Sequence, residues 1–163
     1  MTKAIPVALH HTCFLVRDLE GTAQRLSDAL GIGPWNIWTI TPAECRVHGE
    51  VRQFSFRVAF ATVGGGTFEL ITPHTGRSIY DDHLEQHGEG FHHTCLVYQS
   101  LDDVREAKAE LQRQGRALVQ EARGGDAFEF GYFHFPEIDS LVEVLYLDPT
   151  QMPSPEAVIG PSA

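Results

Sequence analysis

Apolar and polar positions along this chain fall into two runs of the same order. Ala8 to Val16 is apolar with β-branched and aromatic members, as a strand is, and Asp18 follows where a helix N-cap belongs. Leu19, Ala23, Leu26 and Leu30 then recur at helical spacing until Gly31 offers a C-terminal stop. Trp35 to Ile40 predicts a short strand, and Thr41 to Gly49, with its Pro, Glu and Gly, a loop. Phe54, Phe56, Val58 and Phe60 alternate with Ser55, Arg57 and Ala59, the period of a half-buried strand. Gly64-Gly65-Gly66 turns the chain into a last strand over Thr67 to Thr72.

The second run repeats strand, helix, strand, strand, strand. Phe91 to Tyr98 predicts a strand, Ser100 with Asp103 resembles a capping box, and Val104, Ala107 and Leu111 continue as a helix to Gly115. Strands follow over Ala117 to Gln120, Ala127 to Phe135 and Leu141 to Leu147, with Gly124-Gly125-Asp126 as a turn. The expected organisation is one domain over 1–147, built from a module at 7–72, a connector at 73–90 and a module at 91–147. The connector holds a short helix over Ser78 to His87 with Ser78 and Asp81 as its capping box. Residues 148–163 carry Pro149, Pro153, Pro155 and Pro161 and are expected to be a tail, disordered or packed on a partner.

The two runs also share letters. His10-His11-Thr12-Cys13 recurs as His92-His93-Thr94-Cys95, and each run closes on an acid in an apolar strand, Glu69 after Phe68 and Glu143 after Val142. Self-similarity at a fixed period marks a duplicated architecture. Side chains alternate across a strand, so His11 shares a face with Cys13 and Leu15, and His93 with Cys95 and Val97. If related modules pack about a pseudo-twofold axis, His11, Glu69, His93 and Glu143 meet at one centre. Two imidazoles and two carboxylates suit an octahedral divalent metal with two positions left for water or substrate. The ion is Co, Ni, Zn, Mn, Fe or Mg, since all of these accept nitrogen and oxygen donors. A carboxylate among apolar neighbours is otherwise costly to bury. His10 and His92 alternate to the opposite face. His48, His74, His83 and His87 are read as solvated, and Cys13 and Cys95 as structural.

Composition narrows the partners. A net charge of −10 and a pI near 5.2 argue against nucleic acid and against an anionic membrane surface. Three cysteines without metal-finger spacing fit a reducing compartment, and no apolar run is long enough to span a bilayer. A cytoplasmic protein acting on a small molecule is expected.

With His11, Glu69, His93 and Glu143 at those places in a twice-used strand, helix, three-strand module, the chain resembles the vicinal oxygen chelate superfamily over about residues 7 to 147. That superfamily includes glyoxalase I, methylmalonyl-CoA epimerase, extradiol dioxygenases and bleomycin-resistance proteins. Gly88-Glu89-Gly90-Phe91-His92-His93 is most similar to the epimerases, as is Val16-Arg17-Asp18-Leu19-Glu20. Glu69 departs from them, because epimerases usually carry Gln there whereas glyoxalase I commonly has Glu. Phe135-Pro136-Glu137-Ile138-Asp139-Ser140-Leu141 also lacks the epimerases' glycine-rich approach to the last ligand.

The resemblance implies an α+β fold in which two βαβββ modules form a curved, open-barrel mixed sheet around a metal site, in a homodimer. It implies a divalent-metal-dependent isomerase, epimerase or lyase that stabilises an enolate on a carbonyl or acyl-thioester substrate. Glu143 would then be ligand and proton acceptor, and an epimerase would need a second catalytic acid, for which Glu50 is preferred over Glu44. Two alternatives stand beside it: an iron(II) dioxygenase using His11, His93 and Glu143, and a metal-free protein that sequesters a small molecule. The aromatic residues Trp35, Trp38, Phe54, Phe56, Phe128, Phe130 and Tyr132 would suit a hydrophobic substrate where they are not core.

Overall fold

A computed structural model of the protein describes residues 4–161. The first three and last two residues, over which the domain and tail expectations also extend, lie outside the described residues. The chain runs through β1 (Ala8–Leu15), α1 (Leu19–Leu30), β2 (Trp35–Ile40), β3 (Glu44–Val47), β4 (Glu50–Val51), β5 (Ser55–Val63), β6 (Gly66–Thr75) and α2 (Ile79–Gln86). It continues through β7 (Gly90–Val97), α3 (Leu101–Arg113), β8 (Leu118–Gly124), β9 (Phe128–Phe135), β10 (Ser140–Leu147), a 3-10 turn (Pro149–Gln151) and β11 (Ala157–Ile159). The fold is α+β, with three α-helices among the described residues and a large, unclosed mixed sheet. No helix among the described residues is long and apolar enough to cross a membrane.

The chain divides into two compact units. One, called here the His11 unit, gathers His11–Thr41, Phe54–His92 and the chain from Pro153 on. Its strand order is β11-β2-β5-β6-β1. Only β1 and β6 run parallel in it, because helix α1 carries the chain back before β2, β5 and β6 follow as an antiparallel meander. Asp18 caps α1 by accepting from the Gly21 backbone N–H, and Gly31 ends it in the left-handed region at φ 70°. Leu19 and Ala23 of α1 bury against Trp35, Ile37, Ala59, Ala61 and Leu70. At α2, the Ser78 and Asp81 capping box forms with both of its hydrogen bonds.

The other, the His93 unit, gathers the chain up to His10, Pro42–Gln53 and His93–Met152. Its order is β7-β10-β9-β8-β3-β4, again with one parallel pair, β7 with β10. Val104 and Ala107 of α3 pack on Phe133, Val144 and Tyr98. Gly131 leaves room for the side chains around it: a Cβ there would stand 3.1 Å from Leu118 Cδ1 and 3.5 Å from Lys108 Cε. Beside it, Glu129 accepts hydrogen bonds from Lys108 Nζ and Arg105 Nε, both at 2.9 Å. Burial raises the Glu129 carboxyl's pKa, but the bonds and charges of Lys108 and Arg105 outweigh that and hold it below the usual carboxylate range.

Three stretches differ from the sequence reading. Thr41 to Gly49, expected as a loop, contains β3, whose Cys45 and Val47 are buried while Glu44 and Arg46 are exposed; the strand pairs with β8. Strand β8 runs on to Gly124 because Glu121 and Arg123 find cation and carboxylate partners, Lys108 and Glu44, on the outward side. The tail is ordered where it matters to the sheet. Ala157, Val158 and Ile159 pair with Ile37, Asn36 and Trp35, and the Glu156 carboxylate accepts from Thr39 N and Oγ1 at 2.9 and 3.0 Å.

Candidate metal centre

Register puts a histidine and a glutamate together in each unit. On the parallel pair β1 and β6, Cys13 stands opposite Glu69 and His11 opposite Thr67, so His11 and Glu69 are diagonal neighbours on one face. Glu69 Oε2 lies 3.0 Å from His11 Nε2. On β7 and β10 the same relation recurs, with Cys95 opposite Glu143, His93 opposite Leu141, and Glu143 Oε2 at 3.2 Å from His93 Nε2. All four side chains are buried, from His93 at 0% to Glu69 at 5% exposure. The opposite face of each sheet is the helix-covered one, where Leu70 and Val144 sit.

The donor set fits a divalent ion. Two donor atoms bound at about 2.1 Å and at right angles to each other are about 3.0 Å apart, which is the spacing of both pairs. Nitrogen and carboxylate oxygen from buried strands, backed by aromatic rings, also make rigid ligands. The Phe60 ring meets the His11 ring edge-on at 5.6 Å between centroids, and Tyr132 lies 4.7 Å from His93.

The other sequence candidates lie elsewhere. Glu50 in β4 is exposed and paired with Arg52 at 2.8 Å. Glu44 is exposed and bonded to Arg123, which holds its pKa down. His48 occupies a left-handed turn position, and His74 is exposed at the end of β6. His83 is not simply solvated. Half-buried, it contacts His87 and His92 rings at 5.0 Å each, and burial together with the charge of His87 lowers its pKa. Cys13 and Cys95 are buried and not in disulfides.

Two features escaped the sequence reading. Gln120 and Tyr132 are buried on the same face as Glu143, Tyr132 opposite Glu143 and Gln120 opposite Tyr132. The sequence reading named Tyr132 only among aromatic residues for a pocket and not beside Glu143; Gln120 needs the register. A cavity of about 470 Å³ lies among Arg46, Arg105, Lys108, Glu121, Arg123 and Glu129, on the outward side of β8 and β9, away from the His93 and Glu143 pair. Its walls are largely paired charges.

A profile of the Glyoxalase/Bleomycin resistance protein/Dioxygenase superfamily matches residues 10–132. The chain belongs to that superfamily. No curated protein sequence matches it significantly. Among solved structures it is similar to methylmalonyl-CoA epimerase from Mycobacterium tuberculosis, at 21% identity and TM-score 0.62 over 92% of this chain and 94% of that one. It is also similar to a Streptomyces coelicolor methylmalonyl-CoA epimerase variant in complex with 2-nitronate-propionyl-CoA, at 18% identity and TM-score 0.63 over 91% and 100%. A hypothetical protein from Bacillus halodurans C-125 matches at 17% identity and TM-score 0.63, over 90% and 98%. The profile match bears out the superfamily that the repeated modules pointed to, and the solved structures bear out the fold.

Proposed function

We propose that the protein is a divalent-metal-dependent isomerase or lyase that removes a proton beside a carbonyl. The reading rests on one observation, the duplicated histidine and glutamate pair at ligand spacing, 3.0 Å in the His11 unit and 3.2 Å in the His93 unit. In this reading His11, Glu69, His93 and Glu143 hold a single ion. A bound divalent ion acts as a Lewis acid, easing the build-up of negative charge on a substrate oxygen.

The residues of the chain do the rest. Glu143 would help hold the ion, and its carboxylate would take up the substrate proton as general base. His11 and His93, each backed by an aromatic ring, keep their ligand orientation. Buried strands exclude water from the reacting centre. The substrate class is a 2-oxo compound or an acyl thioester; solved neighbours named as methylmalonyl-CoA epimerases support the thioester, and Glu69 supports the glyoxalase-like branch. Epimerisation needs a second acid. Glu50 is its candidate and must first part from Arg52. A second copy of the chain is the proposed partner, supported by exposed Leu9 in β1 and exposed Ile5 and Val7 just before it.

Metal analysis of protein purified without added metal, followed by solvent-deuterium exchange into candidate acyl thioesters and 2-oxo compounds, tests the function. Metal-dependent exchange is expected. Oxygen uptake that requires ferrous iron, or tight small-molecule binding by the metal-free protein, would contradict it.

A further inference from the structure

The cavity of about 470 Å³ on the outward side of β8 and β9 falls in the size range of small-molecule pockets, about 300–1,000 Å³. Its floor is set by register within the His93 unit. Arg46 stands opposite Glu121 and Glu44 opposite Arg123 across β3 and β8, and Arg123 opposite Glu129 across β8 and β9. Helix α3 adds Arg105 and Lys108. Four of the chain's 12 lysines and arginines therefore line one cavity, against three carboxylates. In a protein of net charge −10, this corner carries an excess of one positive charge.

The four cations are not equally engaged. Lys108 is 11% exposed at its side chain and held between Glu121 at 2.5 Å and Glu129 at 2.9 Å. The three guanidiniums are each held at one nitrogen: Arg123 Nη2 donates to Glu44 at 2.5 Å, Arg105 Nε to Glu129 at 2.9 Å, and Arg46 Nη1 to the Gly49 carbonyl at 3.4 Å. Arg116, outside the cavity, gives both terminal nitrogens to Glu137. A guanidinium has five N–H donors, so Arg46, Arg105 and Arg123 each keep a donor edge without an acceptor among the described residues. Such planar edges fit the oxygens of a phosphoryl group. Glu121, which meets Lys108 through Oε2, keeps acceptor capacity for a hydroxyl.

We propose that this cavity binds a singly ionised phosphoryl group, free or carried on a small ester, with Arg46, Arg105 and Arg123 on its oxygens and Glu121 accepting from its remaining hydroxyl. A monoanion matches the charge excess of the cavity. The carboxylates hold the guanidiniums in place and also discriminate, because sulfate, with no hydrogen to donate, meets Glu121 as a repulsive neighbour. Strand alternation puts these charges on the face opposite Gln120 and Tyr132, so the site is separate from the proposed reaction centre.

Isothermal titration at pH 6 and fixed ionic strength, with inorganic phosphate, sulfate and glycerol 3-phosphate as probes, tests this. Expected are about one phosphate per chain, sulfate roughly tenfold weaker, and phosphate roughly tenfold weaker in Arg46→Gln and in Arg105→Gln, the scale of one lost hydrogen bond to a charged group. Arg46 is exposed, so Arg46→Gln should keep the wild-type Tm, and Arg116→Gln should keep the wild-type phosphate affinity. Glycerol 3-phosphate binding at least as tightly as phosphate assigns the site to an ester; weaker binding assigns it to the free ion. The proposal is overturned by the absence of saturable phosphate binding, by sulfate binding as tightly as phosphate, by binding that survives both cavity substitutions, or by an equal loss in Arg116→Gln.

Discussion

Glu69 reaches His11 diagonally: its backbone partner across the parallel strands is Cys13, yet its Oε2 stands 3.0 Å from His11 Nε2. The pairing is fixed by backbone register and not by side-chain flexibility. Glu69→Gln keeps shape and one oxygen donor but removes charge. The expected outcome is a folded protein whose divalent-metal affinity falls by about one order of magnitude, measured by competition with a chromophoric chelator.

Glu143 combines ligation with proton transfer in the proposed chemistry. Glu143→Gln is expected to lower deuterium exchange at least a hundredfold, the scale of a lost general base, and to weaken metal binding as well. Full activity with unchanged metal content would remove Glu143 from both roles.

Much of this site was legible in the sequence because it depends on alternation and repetition. Strand alternation put His11 with Cys13 and His93 with Cys95, and the two registers bear out that shared facing. The acids sat in unmistakable apolar strands. What stayed hidden depends on pairing between distant segments. Strand β3 is too short and too charged to announce itself, and only its neighbour β8 explains why Glu44-Cys45-Arg46-Val47 is extended. Likewise β11 lies in a proline-rich stretch whose order comes from the edge of β2. Gln120 joins the Glu143 row only through two successive registers.

Glu129 supplies a pH prediction. Its carboxyl pKa is depressed in the folded protein, so its contribution to stability is present above the unfolded-state value of about 4.5 and is lost as pH falls through the lower folded value. Thermal melts from pH 6 down to pH 3 should therefore show wild type losing stability relative to Glu129→Gln below about pH 4.5. At neutral pH, Glu129→Gln should cost about 1–3 kcal/mol, since Lys108, 11% exposed at its side chain, loses a charged partner.

Removing the chain from Pro153 on tests the role of its final strand. The truncation deletes β11, the Glu156 bonds to Thr39, the bond from Trp38 Nε1 to Pro153 O and that from Gln24 Nε2 to Gly160 O. A loss of about 2 kcal/mol or more is expected, a few net hydrogen bonds at about 1 kcal/mol each. An unchanged denaturation midpoint would return this segment to the status of a tail.

The most direct test of the account is metal stoichiometry in single-histidine variants. Elemental analysis of wild type should give about one divalent ion per chain, and both His11→Ala and His93→Ala, each alone, should remove it, because one octahedral ion needs donors from both pairs. Retention of the ion by either variant, or two ions per chain in wild type, would contradict a single centre built from the duplicated pair.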